Sequence, residues 1–437
     1  MKKAVFFLIS LFGFCSIFAQ YTVKGGQGQP LMAEKNGNLQ VYLLNGLQDA
    51  NISFTSDKDG AHQWYKYTTK ATEATPISCQ QTGRTSVITN IENGCGYFAG
   101  ETNDPKTAYS WIIDYSLYVP KIYNCQIAEE EDRCENLKLI AYIDDATPLL
   151  YRTPLGTPMD LIRTFHLLYE NLEWDEESTS FREVEKDLPQ KGVPTDIIID
   201  APLKNTKFTL KGDDFAAHFG LEGSVTTNEY QAIALDVHAV ITPLKEAADN
   251  EQQPAGSESN FSAPVEFRME AYANEPVASM YIWEIIKVDP VTRDSTTIVR
   301  YTEKSLNYTF QEAGSYVIRL EVVDYQSVCF DNSHTTGVFI GESALQLPNA
   351  FSPGSSIEVN DEYRVSYKSI VKFKASIYNR WGNLLYQWDD PARGWDGKVE
   401  GKYVPTGVYF IVVDAKGADG KIYKESKDIN VLRSKNN

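Results

Sequence analysis

The chain reads as a succession of short segments in which apolar and polar side chains alternate. Leu39-Gln40-Val41-Tyr42-Leu43, Asn51-Ile52-Ser53-Phe54, Thr85-Ser86-Val87-Ile88 and Ala108-Tyr109-Ser110-Trp111-Ile112-Ile113 carry the two-residue period of half-buried strands. His62-Gln63-Trp64-Tyr65-Lys66-Tyr67 follows the turn Asp57-Lys58-Asp59-Gly60. Strands at ~8–12-residue spacing around a tryptophan predict an immunoglobulin-like sandwich over 20–120. Strand patterns continue at Leu137–Ile143, Thr195–Ile199, Lys207–Leu210 and Tyr230–Val237, so a second β-rich domain is expected over 121–245. Asp160 to Glu170 reads as a short helix or a strand pair. Residues 245–260 carry no bulky apolar side chain and bury no core, so a linker is expected over 246–261.

Beyond the linker the alternation resumes. Tyr316, Ile318 and Leu320 share one face of a strand, and Trp283 is placed to fill the centre of a sandwich over 262–343. In the last segment, 346–437, Phe373, Ala375, Ile377 and Tyr378 build a strand. Arg380-Trp381-Gly382-Asn383 turns tightly into Leu384-Leu385-Tyr386, and Tyr409–Val413 and Ile429–Leu432 close the sheet. The predicted fold is therefore all-β: tandem immunoglobulin-like sandwiches ending in a further β-sandwich.

The first residues have another character. Lys2 and Lys3 precede the apolar run Ala4–Phe18, and Ile17-Phe18-Ala19 before Gln20 makes a cleavage site, so a signal peptide is expected over 1–19. The run is too short for a membrane anchor. Phe14 before Cys15 argues against lipidation, which favours a small residue there. An exported chain keeps disulfides. Cys79 with Cys95, and Cys125 with Cys134, are the pairs closest in sequence, although spacing does not fix connectivity. Cys329 is left over and reads as a buried small hydrophobe.

Charge and chemistry narrow the function. The formal net charge of -18 excludes a nucleic-acid backbone as the main partner. The five histidines, at 62, 166, 218, 238 and 334, show no metal-ligand spacing, and no C-x-x-C, G-x-S-x-G, H-E-x-x-H or phosphate loop occurs. No cofactor is expected. The adjacent carboxylates Asp144-Asp145 and Asp213-Asp214 fit solvated turns or a loose Ca²⁺ loop better than a glycosidase pair, because strand neighbours point to opposite faces. Glu129-Glu130-Glu131-Asp132 reads as a solvated loop. Trp64 and Tyr65 are candidate ligand aromatics for a sugar, against a plain core reading.

Two resemblances add to this. Ser262-Ala263-Pro264-Val265-Glu266-Phe267, Tyr281-Ile282-Trp283-Glu284-Ile285, Tyr308-Thr309-Phe310 and Ala313–Leu320 resemble a polycystic-kidney-disease-type (PKD) immunoglobulin-like domain, which implies a spacer or binding module without chemistry. The last segment resembles the gliding-motility-associated C-terminal domain, the type B sorting domain of the Bacteroidota type IX secretion system. That resemblance rests on Pro348, Asn349, Phe351 and Pro353; Asn360-Asp361; Tyr378-Asn379-Arg380-Trp381-Gly382; Gly394-Trp395-Asp396-Gly397; and Pro405, Gly407 and Tyr409. Asp428–Arg433 closes the match. The loop Gly354–Val359 departs from the family's Asn/Asp/Gly-rich form, so no metal is expected there. The resemblance implies recognition by the type IX translocon and its shuttle protein, and a PorP/SprF-type outer-membrane partner. It also implies delivery to the cell surface or beyond.

Residues 341–437 hold 14 Lys+Arg and 12 Asp+Glu, leaving 27 against 47 for residues 1–340. A strongly acidic passenger thus precedes a near-neutral tag. The expected function is an exported, adhesin-like or structural surface component with a glycan or protein ligand. A carbohydrate-binding module and a secreted hydrolase using carboxylates are the alternatives.

Overall fold

The computed structural model describes residues 21–433 apart from 57–59, 101–106, 129–132, 145–146, 245, 253–259 and 355–359. The expected signal peptide, the acidic tract 129–132, Asp145, part of the linker and most of the Gly354–Val359 loop therefore lie outside the described residues. The remainder is almost wholly strand, with one helix of six residues among the described residues.

In the first segment, Tyr21–Lys24, Asn51–Thr55, Thr85–Thr89 and Gln80–Thr82 form a four-stranded sheet. It packs on a six-stranded sheet in which Leu39–Leu44 runs parallel to Tyr109–Asp114. Tyr21, Ile52 and Ile88 meet Trp64, Tyr42 and Ile112 between them. The far side of the six-stranded sheet is also covered. Leu39, Val41, Phe98 and Trp111 pack there against Leu149, Tyr151 and Leu161 of a hairpin, and against Ala216 of the helix. Burial on both faces explains why Tyr109–Asp114 is buried at every position, with Trp111, Ile112 and Ile113 in unbroken succession, rather than half-buried as alternation predicts.

That hairpin, Leu149–Arg152 with Pro158–Leu161, and the helix α1, Asp214–Phe219, come from the second segment. Asp160 to Glu170 is thus strand: the end of the hairpin, then the start of the long strand Thr164–Asp175. The core of the second segment lies between Lys121–Ile127, Asn136–Asp144 and Asp196–Asp200 on one side and a four-stranded sheet led by Thr164–Asp175 and Ser180–Lys191 on the other. Tyr230–Asp236 is not a strand; only Tyr230 makes a bridge, to Thr206. Val237–Pro243 instead pairs along its length with Val265–Ala273 and so belongs to the third sandwich.

The third sandwich has Trp283 fully buried at its centre, with Tyr316, Ile318 and Leu320 inward. Its start is hinged on Asn274. The Asn274 amide donates to the carbonyls of Leu203 (2.7 Å) and Ala234 (2.9 Å), and its Oδ1 accepts from Asp236 N (2.9 Å). Nearby, Trp174 of the second segment stacks on His238 with centroids 4.1 Å apart.

The terminal sandwich is built on a five-stranded sheet: Ala350–Phe351, Ile422–Val431, Gly407–Gly417, Ile370–Tyr378 and Leu384–Trp388, in that order. Its start is fastened to the third sandwich: Ser369 N donates to Ser262 Oγ (2.7 Å), and Ala263 N to Ser369 Oγ (3.2 Å). The described part of the expected linker is fastened too. The Asn250 side chain donates to the carbonyls of Val365 and Pro391, both at 2.8 Å, and Gln252 N donates to Tyr367 O (2.7 Å).

The cysteine pairing differs from the sequence expectation. Cys134 is bonded to Cys329, 195 residues away, while Cys79, Cys95 and Cys125 are free thiols. Cys125 points into the core between the two sheets of its sandwich, whereas Cys134 sits beyond the strand end, next to the third sandwich. Proximity along the chain misleads here because contiguous residues on one strand and its turn face different neighbours. Burial pushes the Cys125 thiol up to about 11 and raises that of Cys95, so neither presents a thiolate for exchange at neutral pH.

Candidate functional site

The motif residues of the terminal segment separate into two groups. The first holds the sandwich together. Trp395 is fully buried between Phe351 and Tyr409, with ring centroids 5.5 and 5.8 Å away, and its Nε1 donates to Lys398 O (3.0 Å). Its neighbours are glycine for a spatial reason. A Cβ on Gly394 would lie 2.3 Å from the Tyr363 carbonyl oxygen, and one on Gly397 would lie 2.7 Å from the Pro353 ring at a φ of +75°. Asp396 accepts from Lys398 N (2.9 Å) and closes that turn. The Pro348 carbonyl accepts from the Tyr363 hydroxyl, the Asn349 carbonyl from Asn430 N, and the Pro405 carbonyl from the Tyr409 hydroxyl. The Asn360 carbonyl and Asp361 Oδ1 accept from Ser352 N and Gly354 N, tying down both ends of the preceding loop.

The second group faces outward. Between Ile370–Tyr378 and Leu384–Trp388, Asn379 Oδ1 accepts from the backbone N–H of both Trp381 and Asn383 at 3.0 Å, and Gly382 adopts the positive φ of +83° that the turn needs. The turn is fixed from within, yet Trp381 at its tip is 71% exposed, with the Arg380 guanidinium 4.3 Å from its ring centroid. Beside it opens a groove of about 420 Å³ whose walls include Leu385, Val404, Pro405 and Val408. A tryptophan and an arginine on a turn whose backbone is fixed, next to an apolar groove, match the composition of protein-recognition centres, which are enriched in these two residues. Nothing in the core requires an exposed tryptophan there.

The other candidate residues take different roles. Trp64 is fully buried, its Nε1 donating to Ser86 Oγ (2.8 Å), and Tyr65 stacks on Phe98 with centroids 5.1 Å apart. Trp64 is a core residue and presents no face to a ligand. Strand alternation gave both options, and the sheet packed over it decides for the core.

Asp213 is neither a solvated turn nor part of a Ca²⁺ loop. It is fully buried as the cap of α1, accepting from Ala216 N (2.8 Å), Arg163 Nη1 (2.8 Å) and the Tyr115 hydroxyl (2.7 Å). Arg163 also donates to the carbonyls of Tyr118 (2.8 Å) and Thr147 (3.3 Å). A carboxylate held by three donors is a joint between the first two segments, not a base in a cleft. Burial first, then the Asp213 bond, push the Tyr115 phenol well above its ordinary value. The neighbouring Asp214 is exposed and shares His166 with Asp187; His166 lies 2.7 Å from Asp187 and 3.1 Å from Asp214. The Asp187 hydrogen bond, chiefly, raises the His166 pKa. Among the described residues no three His, Cys, Asp or Glu side chains converge to hold a metal ion. No helix among them is long and apolar enough to cross a membrane.

Architecture and exposed tip together define a class: a multi-domain β-sandwich protein whose last domain presents an exposed Arg380–Trp381 turn beside an apolar groove. Comparison with known proteins makes this specific. Residues 345–427 match the CHU_C type IX secretion signal domain, and residues 126–227 match a fibronectin type III domain. The chain therefore carries a type IX secretion signal domain at its C-terminal end with an immunoglobulin-like fibronectin type III domain upstream. That upstream match falls one segment earlier than the stretch likened to a PKD-type domain. Both matched domains are of non-enzymatic kinds.

No curated protein matches the chain. Among solved structures it is similar to the tetra-tandem repeat in the extending region of a large adhesion protein (10% identity, 91% of this chain and 100% of that one, TM-score 0.22). It is also similar to the BSP domain of a biofilm-associated protein (10% identity, 96% and 96%, TM-score 0.17). A third is dimeric latent PorU from Porphyromonas gingivalis (11% identity, 75% and 35%, TM-score 0.17). Scores at this level carry no functional conclusion.

Proposed function

We propose that the chain is an exported surface component, adhesin-like or structural, that leaves the cell as cargo of the type IX machinery and is read at the Arg380–Trp381 tip of its terminal domain. The observation that carries this reading is the type IX signal domain at 345–427 together with a tip whose two most interactive side chains are exposed and fixed without any structural need. The translocon, its shuttle protein and a PorP/SprF-type outer-membrane protein are the partners. A signal peptide over 1–19 supplies the first membrane crossing. The acidic passenger remains soluble and displayed, as its charge favours.

The test is surface proteolysis of intact cells. Deleting residues 346–437 strands the protein in the periplasm, and Trp381→Ala lowers surface level without changing the stability of the purified chain. Wild-type surface level after the deletion overturns the sorting role. Wild-type level after both Trp381→Ala and Arg380→Ala leaves the sorting role and overturns the tip.

A further inference from the structure

Two sheet faces of this chain remain open to solvent although each carries an apolar centre. The first is the outward face of the terminal five-stranded sheet. Along Gly407–Gly417, Val408, Phe410 and Val412 point outward and are 48%, 42% and 44% exposed, while Tyr409, Ile411 and Val413 point into the core. Residues directly opposite on neighbouring strands share a face. Tyr378 therefore lies beside Phe410, extending the apolar stripe. At the other end of the same face stand Lys372, Lys374, Lys416 and Lys424, with Asp414 between them and Asp428 beside Phe410. All four lysines are exposed, and none is ion-paired among the described residues.

The second face is the outer side of the three-stranded sheet in the fibronectin type III segment. Tyr142 and Ile198 are 48% and 68% exposed there, around a half-buried Ile140. Asp144, Asp196 and Asp200 lie on the same face, against Lys121 and Lys138, of which Lys138 pairs with Asp196 at 3.2 Å. One face has an excess of cations and the other an excess of carboxylates. The passenger that carries the second is strongly acidic as a whole.

We propose that these faces are partners: the outward face of the terminal sheet in one copy of this chain docks on the outer face of the Lys121–Ile127, Asn136–Asp144, Asp196–Asp200 sheet in a second copy. Both sheets carry a central apolar patch on strands that pair antiparallel, and such faces bury their patches by stacking at ~10 Å, side chains interdigitating. An anionic membrane is a poorer occupant of the lysine face, because Asp414 and Asp428 would be pressed against its phosphates. The contact is heterologous, since each copy offers two different surfaces. Its repetition adds copies head to tail, into an open chain or a closed ring. The smaller face is only three strands wide, so a single contact belongs to the weak class of interfaces. Copies confined to one surface are the setting in which a weak, repeated contact holds.

The test uses the full mature chain in sedimentation equilibrium from about 10 to about 300 µM, a range suited to contacts of that class. Wild-type mass is expected to rise past that of a dimer, and to fall back as salt is raised because exposed charges are screened. Phe410→Asp disables one face and Ile198→Lys the other. Each variant alone is expected to be monomeric, with association weakened at least tenfold. Mixed one to one, they retain one good pair of faces and form a dimer that does not grow. Lys374→Glu, at an exposed position outside the core, repeats the first arm should Phe410→Asp loosen the sheet. A wild type that stays monomeric overturns the proposal, as does a mixture that stays monomeric. A wild type that stops at two copies overturns the head-to-tail growth that the proposal requires.

Discussion

The buried joint of Arg163, Asp213 and Tyr115 allows a quantitative test. Arg163 is 4% exposed and Asp213 not at all, and their charges meet at 2.8 Å. Replacing Asp213 with Asn keeps an oxygen for Ala216 N and the Tyr115 hydroxyl, so the helix cap survives. What is lost is the negative charge facing a guanidinium that has no access to water. Stranding a buried charge in this way costs about 3–5 kcal/mol. Arg163→Met leaves the carboxylate with two neutral donors and has a cost in the same range, about 3–5 kcal/mol. The double variant has no charge left to strand. Its cost is expected to fall short of the sum of the singles by about 2–3 kcal/mol, the coupling typical of residues in direct contact. Urea unfolding followed by tryptophan fluorescence measures all three. Because Tyr115 belongs to the first core and Asp213 caps a helix of the second segment, both single variants are also expected to unfold those two parts in separate transitions. Singles that add to the double within about 0.5 kcal/mol, or that each lose under about 1 kcal/mol, would falsify the assignment of this joint as a coupled, buried ion pair.

Three further outcomes are expected. Reducing the Cys134–Cys329 bond, which closes a loop with a separation of 195 residues, removes up to about 5 kcal/mol from the middle of the chain and leaves the first and last sandwiches unchanged. Alkylation of the unreduced, denatured mature chain marks Cys79, Cys95 and Cys125 alone, and a mass spectrum showing Cys125 joined to Cys134 refutes the pairing. Trp395→Ala costs about 3–5 kcal/mol in the terminal sandwich, read from its melting transition, and Gly394→Ala also destabilises it because the Tyr363 carbonyl blocks a Cβ. His166, whose pKa is raised in the folded chain, adds stability that is complete below its unfolded value near 6.5 and is lost as pH rises through the higher folded value. His166→Gln flattens that part of the stability–pH curve, and an unchanged curve counts against the Asp187 and Asp214 contacts.

The strand pattern was most legible where one face is buried and the other wet. Gly407–Gly417 alternates without a break, and its inward residues are those that periodicity indicates. Motif spacing identified the terminal domain because Gly394, Trp395 and Gly397 stand within four residues of one another, although the atoms that require them, the Tyr363 carbonyl, Phe351 and the Pro353 ring, lie far back along the chain. Three things were not legible. The pairing of Cys134 with Cys329 depends on how two domains sit together, which local spacing does not encode. Val237–Pro243 joins the third sandwich although a linker separates it from its partner strand, since β-pairing acts across any intervening length. Asp213 looked solvated because its partners Tyr115 and Arg163 lie 98 and 50 residues away. The exposure of Trp381 was open for a related reason: a turn residue gives no sign in sequence of which way it points. The one usable signal was a tryptophan in a tight turn with no alternating neighbours to bury it.

The covalent bond between residues 134 and 329 also fixes how the molecule carries tension. A pull between its two ends runs along the backbone to Cys134, crosses the sulfurs, and continues from Cys329. The stretch in between, residues 135–328, is bypassed. Most of the fibronectin type III core and most of the third sandwich lie inside that bypass and bear no load along their backbone while the bond is intact. Stretched to the limit, the oxidised chain is shorter than the reduced one by roughly 660 Å, at ~3.4 Å per residue. An oxidising exterior thus takes most of two sandwiches off the load path and leaves it to the first, the last and the outlying strands Lys121–Ile127 and Thr335–Ile340.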